Sequence, residues 1–201
     1  ETDLATRTRE NADYVPGIVS VLSADEARAL GARSALDAIA LLPGIEVNRD
    51  PDGAATLRVR GIDAFFNSGN VKILIDGLDT SYPVAARNSA TLLMPLELVE
   101  RVEIIRGPGS TVFGDFALNG LVNIVTRKNS NGAFAGFGAG GERLVGGSIG
   151  GSGEWQWQFN AARESSDRFD APGRVAADEA RTYADLRVAH GGFALKAAGI
   201  A

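Results

Sequence analysis

The chain has 201 residues, of which 45% are hydrophobic and 22% charged, a composition typical of a globular protein. Its net charge of -5 and pI near 5.0 argue against a nucleic-acid partner, which requires a basic surface. Cysteine is absent, which excludes disulfides, thiolate metal sites and cysteine nucleophiles. No long apolar run and no basic leader with an apolar core is present, so we expect neither a transmembrane helix nor a signal peptide, as in a processed mature chain.

Two short helices are predicted near the start of the chain, after a strand in GIVSVLS. Ser23 and Glu26 have the spacing of a capping box, in which each side chain bonds the other residue's backbone N–H. Ser34 and Asp37 repeat this spacing before ALDAIALL, and the Pro-Gly pair at 43–44 ends that second helix.

The rest of the first half is rich in strand-forming residues and turn signals. The predicted strands are GIEVNR, TLRVRGI, VKILIDGL, RVEII and LVNIVTR, with a turn at DPDG between the first two. Two helices and five or six short strands predict a small α+β domain of mixed order that ends near Lys128.

The second half, from residue 129, consists of segments of about ten residues separated by glycine and polar residues. In EWQWQFNAAR one face carries Trp155, Trp157 and Phe159, whereas the other carries glutamine and asparagine. Strands that are apolar on one side and polar on the other are typical of a transmembrane β-barrel. An immunoglobulin-like or jelly-roll sandwich in water would show the same alternation, so the pattern alone leaves both folds open.

Two catalytic or nucleotide-binding motifs match by spacing but lack their structural context. GFGAGG has the dinucleotide-binding spacing, yet another glycine-rich strand follows it where a helix is needed. GGSIG places Ser148 as a nucleophile, with Asp167, Asp170 and His190 following in hydrolase order. The residues around GGSIG predict strand and turn, whereas a nucleophile of this kind requires a strand, a turn and then a helix. We therefore predict no enzyme activity, no cofactor and no metal site.

Five blocks of the first half, in order, resemble the plug of TonB-dependent outer-membrane receptors. They are YVPGIVSVLSADEARAL, SALDAIALLPGIEV, LRVRGI, VKILIDGL and ELVERVEIIRGPGSTVFGDFALNGLVNIVTRK, within residues 6–128. The resemblance implies an α+β plug with a mixed sheet, followed by antiparallel strands of a transmembrane β-barrel that is incomplete in this chain. The expected divisions are a mobile lead-in at 1–13, a plug at 14–128 and four or five barrel strands at 129–201.

The resemblance also implies a function in the bacterial outer membrane, in contact with its lipid. It implies TonB-coupled active uptake of a scarce bulky solute, such as a ferric siderophore, with the plug gating the barrel. TonB would bind Thr2, Asp3 and Leu4, in the remnant of the N-terminal box, by strand addition. By family analogy, Arg60 and Arg106 would form a charge lock with glutamates of the barrel wall.

Extracellular ligand would meet the apex of the plug, built from DAFFNSGN and DTSYPVAARNS. The candidate contacts are Phe65, Phe66, Tyr82 and Arg87. These aromatic residues could instead pack on barrel loops, and the two lock arginines could simply cap strand ends.

The chain departs from the family pattern in two respects. The segment after the plug is too short to close a barrel, so we expect further strands from missing sequence or from another chain. The TonB box is partial, which leaves a second function open: a plug-like interaction or signalling module in the periplasm that does not transport. Monomeric behaviour without detergent would favour that module.

Overall fold

The computed structural model describes residues 18–49, 55–59, 71–80, 89–107, 117, 119–138, 141–166 and 179–200. The chain divides into two compact units, one up to Thr126 and the other from Arg127 onwards. Among the described residues, none of the helices has the length and apolar character needed to cross a membrane.

The first unit is an α+β domain built on a mixed five-stranded sheet. Its elements in chain order are β1 (Ile18–Ser23), α1 (Ala24–Ala29), α2 (Ala35–Ala40), β2 (Ile45–Arg49), β3 (Ala55–Val59), β4 (Val71–Ile75), β5 (Leu78–Asp79), α3 (Ser89–Leu92), β6 (Val99–Arg106) and β7 (Gly120–Thr126). The strand order is β1-β6-β7-β4-β5, and β2 pairs separately with β3. Only the β4–β7 pairing of this sheet is parallel, so the predicted mixed sheet is confirmed.

Both helices begin at the capping boxes predicted from sequence. The Glu26 amide donates to Ser23 Oγ at 3.2 Å, and the Ser23 amide donates back to Glu26 Oε2 at 3.2 Å. Ser34 and Asp37 form the same reciprocal pair, at 3.2 and 3.0 Å. The second helix buries Ala35, Leu36, Ala38 and Ile39.

Two parts of the first unit differ from the sequence prediction. VKILIDGL was expected to be one strand, but it folds into the β4–β5 hairpin. Asp76 and Gly77 take positive φ values of 49° and 79°, as a two-residue type I′ turn requires, so the chain reverses there. The helix α3 and a 3₁₀ turn at Leu96–Leu98 were not predicted, because four- and three-residue helices carry too little periodicity to detect.

The core of the first unit lies on both faces of its central strands. All residues of β4 and all residues of β7 are buried. On one face, Leu74, Ile105 and Leu121 form a buried apolar cluster on which Val19 packs. Because both faces of these strands are buried, their sequences are nearly continuous apolar runs and do not alternate between apolar and polar residues.

The second unit is an antiparallel meander of five strands. They are β8 (Gly132–Phe137), β9 (Arg143–Gly151), β10 (Gln156–Ser166), β11 (Glu179–His190) and β12 (Phe193–Ile200), each paired with its neighbour in sequence. The β11–β12 turn is Gly191-Gly192, with φ values of 54° and 85° that glycine adopts without strain.

Burial in this sheet is inverted relative to a protein folded in water. Gln158, Asn160 and Asp185 are only 4%, 0% and 7% exposed. On the opposite face, Trp157 and Phe159 are each 40% exposed. A soluble sandwich would bury the aromatic face, so that alternative is wrong, and the strands are antiparallel strands of a transmembrane β-barrel.

Candidate functional site

Arg106 is the one predicted site residue that lies within the described part of the chain. It is the last residue of β6, and its guanidinium contacts two other parts of the first unit. Nη1 donates to the Pro43 carbonyl, and Nη2 donates to Ser20 Oγ. The next residue, Gly44, has a φ of 77°, which glycine adopts without strain, and a Cβ there would make only an ordinary contact with Nη1 at 3.6 Å. Arg106 thus ties the edge strand β1 to the turn after α2.

The third polar group of this side chain, Nε–H, has a different environment. It is buried and has no hydrogen-bond partner among the described residues. No carboxylate of the described residues forms an ion pair with Arg106 either. Since a buried donor without a partner is unfavourable, the position is suited to an acceptor from outside the described residues.

A second polar cluster lies inside the mixed sheet of the first unit. It surrounds Glu103, which is fully buried. Its Oε1 accepts from Arg101 Nε at 2.8 Å and Nη2 lies at the same distance, while Oε2 accepts from Asn123 Nδ2 at 3.1 Å. Burial disfavours the charge on Arg101, but the carboxylates of Glu103 and Glu100 outweigh it and raise the pKa of Arg101. The buried carboxylate is therefore both paired and hydrogen-bonded.

Asp76 fastens the end of β7, at the last residue of the first unit. Its Oδ1 accepts from the Thr126 amide at 2.9 Å, and its Oδ2 accepts from Thr126 Oγ1 at 2.9 Å. Its own amide donates to the Ile124 carbonyl at 3.0 Å. The turn next to it is also fixed, since Gly77 N–H donates to Asn123 Oδ1 at 2.9 Å. One turn thus supports the buried cluster and the strand end together.

The other predicted site residues lie outside the described residues. These are the second lock arginine, the four apex contacts and the three TonB-box residues: Arg60, Phe65, Phe66, Tyr82, Arg87, Thr2, Asp3 and Leu4. Their roles therefore remain predictions.

Ser148 does not have the geometry of a nucleophile elbow. It lies within β9, paired with Asn160 of β10 and with Gly132 of β8, rather than at a strand–helix turn. His190 ends β11, stacks on Trp155 with ring centroids 4.3 Å apart, and has Nδ1 2.8 Å from the Glu154 carbonyl. Five strand positions, about 16 Å, separate this neighbourhood from that of Ser148.

Sequence reasoning missed the buried polar cluster of the first unit. Glu103 and Asn123 are single polar residues inside the apolar runs VEII and LVNIV, and this isolation was the available signal. A polar residue within a fully buried strand needs a partner. The identity of that partner follows only from the strand register, which aligns Glu103 with Asn123.

Comparison with known proteins agrees with this architecture. The TonB-dependent receptor plug domain family matches residues 11–121. The chain therefore belongs to the TonB-dependent receptors, which places it in the bacterial outer membrane.

Two curated relatives are each 33% identical to the chain. The vitamin B12 transporter BtuB of Vibrio vulnificus aligns over 140 residues, which are 68% of this chain and 22% of that protein. The iron-regulated outer membrane virulence protein of Vibrio cholerae aligns over 120 residues, 57% of this chain and 18% of that protein. The aligned region thus spans about a fifth of the length of these relatives.

Solved receptors share the fold. The alcaligin outer-membrane receptor FauA of Bordetella pertussis matches with a TM-score of 0.72 and 20% identity, covering 94% of this chain and 32% of the receptor. The ferric yersiniabactin uptake receptor FyuA of Yersinia pestis matches with a TM-score of 0.65 and 22% identity, covering 87% and 29%. At this level of identity the likeness concerns the fold alone.

Proposed function

We propose that the protein is the plug-bearing part of a receptor for TonB-coupled uptake of a scarce, bulky solute. The observation that carries the proposal is the order of its two units. A plug sheet comes first, and a sheet with an exposed apolar face and a buried polar face follows. Such a plug gates a barrel, and the barrel strands face lipid with their aromatic side.

The solute we propose is a ferric siderophore or a complex of similar size. The relatives named above are a vitamin B12 transporter, an iron-regulated protein and siderophore receptors. A solute of this size would need binding contacts on the extracellular side and a plug that moves aside. We propose Phe65, Phe66, Tyr82 and Arg87 as the contacts on the apex of the plug.

We propose that Arg106, together with Arg60, holds the plug through carboxylates of the barrel wall. The buried Nε–H of Arg106 supports this role, because it leaves one donor of the guanidinium for a partner from elsewhere. A guanidinium–carboxylate pair shielded from water holds more strongly than an exposed one. Force on the N-terminal segment, where TonB would bind Thr2, Asp3 and Leu4, would break the pair and free the plug.

Uptake by the full-length receptor tests the proposal directly. The receptor is expressed in a Gram-negative host that lacks its own siderophore and vitamin B12 receptors, with TonB present or deleted. Radiolabelled ferric siderophores of several chemical classes and vitamin B12 serve as probes. We expect accumulation of at least one probe only when TonB is present.

The behaviour of the purified receptor without detergent, taken together with the uptake result, distinguishes the alternative function. A receptor that accumulates no probe, and whose chain is monomeric and monodisperse without detergent, would be a non-transporting periplasmic module. Because the exposed face containing Trp157 and Phe159 should require lipid or detergent, we expect aggregation when detergent is removed.

A further inference from the structure

The backbone that opens the second unit, residues 127–131, is held by side-chain amides of β10. Gln158 Nε2 donates to the Ser130 carbonyl at 2.9 Å, and the Ser130 amide donates to Gln158 Oε1 at 3.2 Å. A primary amide has the same donor and acceptor as a peptide group. Gln158 therefore pairs with Ser130 as a neighbouring strand would.

Asn160 continues this contact two residues further along the same face of β10. Its Nδ2 lies 3.4 Å from the Arg127 carbonyl and donates to Asp185 Oδ1 at 2.9 Å. Its Oδ1 accepts from Gln158 Nε2 at 3.0 Å, which joins the two amides. Beside them, the Gly150 amide donates to Asn131 Oδ1 at 2.6 Å, so the segment is bonded at three of its residues.

The surroundings leave room for this arrangement and bury its amide side chains, while the bonds to the segment are part-buried. Gln158 is 4% exposed and Asn160 is fully buried. A Cβ on Gly150 would collide with Gln158 Oε1, so the glycine of the adjacent strand makes the space that the amide fills. Because these bonds are part-buried, removing one partner leaves polar groups that water satisfies only in part, which is unfavourable by up to about 1–3 kcal/mol for each group.

We propose that Gln158 and Asn160 are positioning residues for transport: an amide clamp that fixes the start of the barrel segment while the plug is under tension. The proposal rests on the proposed function, because only pulling on the N-terminus would load the chain at this point. Tension that passes along the plug reaches Arg127, and the clamp holds the backbone there against the wall strand.

Hydrogen exchange in the full-length receptor in detergent, without TonB, tests the clamp itself. We expect Gln158→Leu to speed exchange of the Ser130 amide at least tenfold, while amides paired between β10 and β11 stay protected. Gln158→Glu keeps the acceptor but loses the donor, and should give a smaller increase. Gln156→Leu, at an exposed position on the same face, is the control. Unchanged Ser130 exchange in folded Gln158→Leu, or an equal rise in the control, overturns the clamp.

A second measurement tests its role under tension and is separate from ligand uptake. Vancomycin, which an intact outer membrane excludes, is applied to cells carrying Gln158→Leu or Asn160→Leu, with and without TonB. We expect greater sensitivity only with TonB, because the weakened anchor gives way only when the plug is pulled. Equal sensitivity in both strains, or none in either, overturns the positioning role even if Ser130 exchange has changed. Failure of uptake alone, with the TonB-dependent sensitivity retained, would count against the proposed solute and not against the clamp.

Discussion

Glu103 and Asn123 face each other across the central strands of the plug, with Asn123 Nδ2 donating to Glu103 Oε2 at 3.1 Å. Arg101 reaches the other carboxylate oxygen of Glu103 along the same strand. Both residues of the pair are buried, so water cannot replace the bond between them. Removing one of these side chains should therefore destabilise the sheet, because it leaves a buried polar group without a hydrogen-bond partner.

Glu103→Leu should lower the stability of the β6–β7 pairing by about 3 kcal/mol, because it leaves the Asn123 amide without its acceptor and leaves Arg101 with Glu100 alone. Glu100→Gln is the control and should change it by less than about 1 kcal/mol, since Glu100 is 42% exposed. Amide hydrogen exchange along both strands measures the difference. The triple change Glu103→Leu, Arg101→Met, Asn123→Leu should recover part of the loss, since it also removes the Asn123 oxygen that accepts from the Gly77 amide, and no recovery would contradict this account.

Arg106→Ala should loosen the edge strand β1, because it removes the contacts to Ser20 and Pro43 together. We expect exchange of the β1 amides to rise by about 10- to 100-fold, as loss of charged hydrogen bonds predicts. Ser20→Ala removes only one contact and should give a smaller rise. Arg106→Lys should resemble Arg106→Ala, since one ammonium lacks the guanidinium fork. Wild-type exchange in Arg106→Ala would show that these contacts contribute nothing.

Asp76→Ala combines loss of the bonds to Thr126 with a side chain that disfavours positive φ, and should destabilise the plug by about 2–4 kcal/mol. Asp76→Gly removes the same bonds without backbone strain but gives the unfolded chain more freedom, so the difference between the two variants is a lower limit of the strain. Denaturant unfolding and exchange of the Thr126 amide are the measurements. A smaller effect of alanine than of glycine would contradict a strain contribution, and equal effects would limit the strain to the entropic cost of glycine, about 0.5–1 kcal/mol.

Gly146 lies where the barrel sheet has no room for a side chain. A Cβ would come within 2.5 Å of the Ala161 carbonyl oxygen and 2.5 Å of Phe134 Cζ. Gly146→Ala should therefore destabilise the sheet by about 1–3 kcal/mol. Gly199→Ala is the matched control, because nothing lies within 4 Å of its added Cβ. Denaturant unfolding followed by tryptophan fluorescence compares them, and equal midpoints would contradict the prediction.

The capping box of α1 predicts a pH dependence. Hydrogen bonds from the Ser23 hydroxyl and then from its backbone lower the pKa of Glu26 below 4.5, and slight burial opposes them. The stabilisation is therefore complete above pH 4.5 and is lost as the pH falls through the lowered pKa. Stability curves of wild type and Glu26→Gln should converge as the pH falls below this range. Carboxyl-carbon NMR titration should show a higher Glu26 pKa in Ser23→Ala.

Much of the fold was predictable because its signals are local. The capping boxes at Ser23 and Ser34 involve residues three positions apart, and the alternation in β10 has a period of two. The Asp-Gly turn was also present as a local signal, although the strand prediction passed over it. The two faces of the barrel strands follow from the same period, which made the polar and apolar sides predictable.

The sequence by itself determined the division into an α+β half and a half of alternating strands. It also determined the capped helices and which side of each barrel strand is polar, since interactions within a few residues decide these features. Only the tertiary structure decided which polar groups meet. Arg106 contacts Pro43 and Ser20, which are 63 and 86 residues away, and Gln158 contacts Ser130, which is 28 residues away. Such pairs depend on strand register and chain crossing, and burial then makes each pairing energetically important.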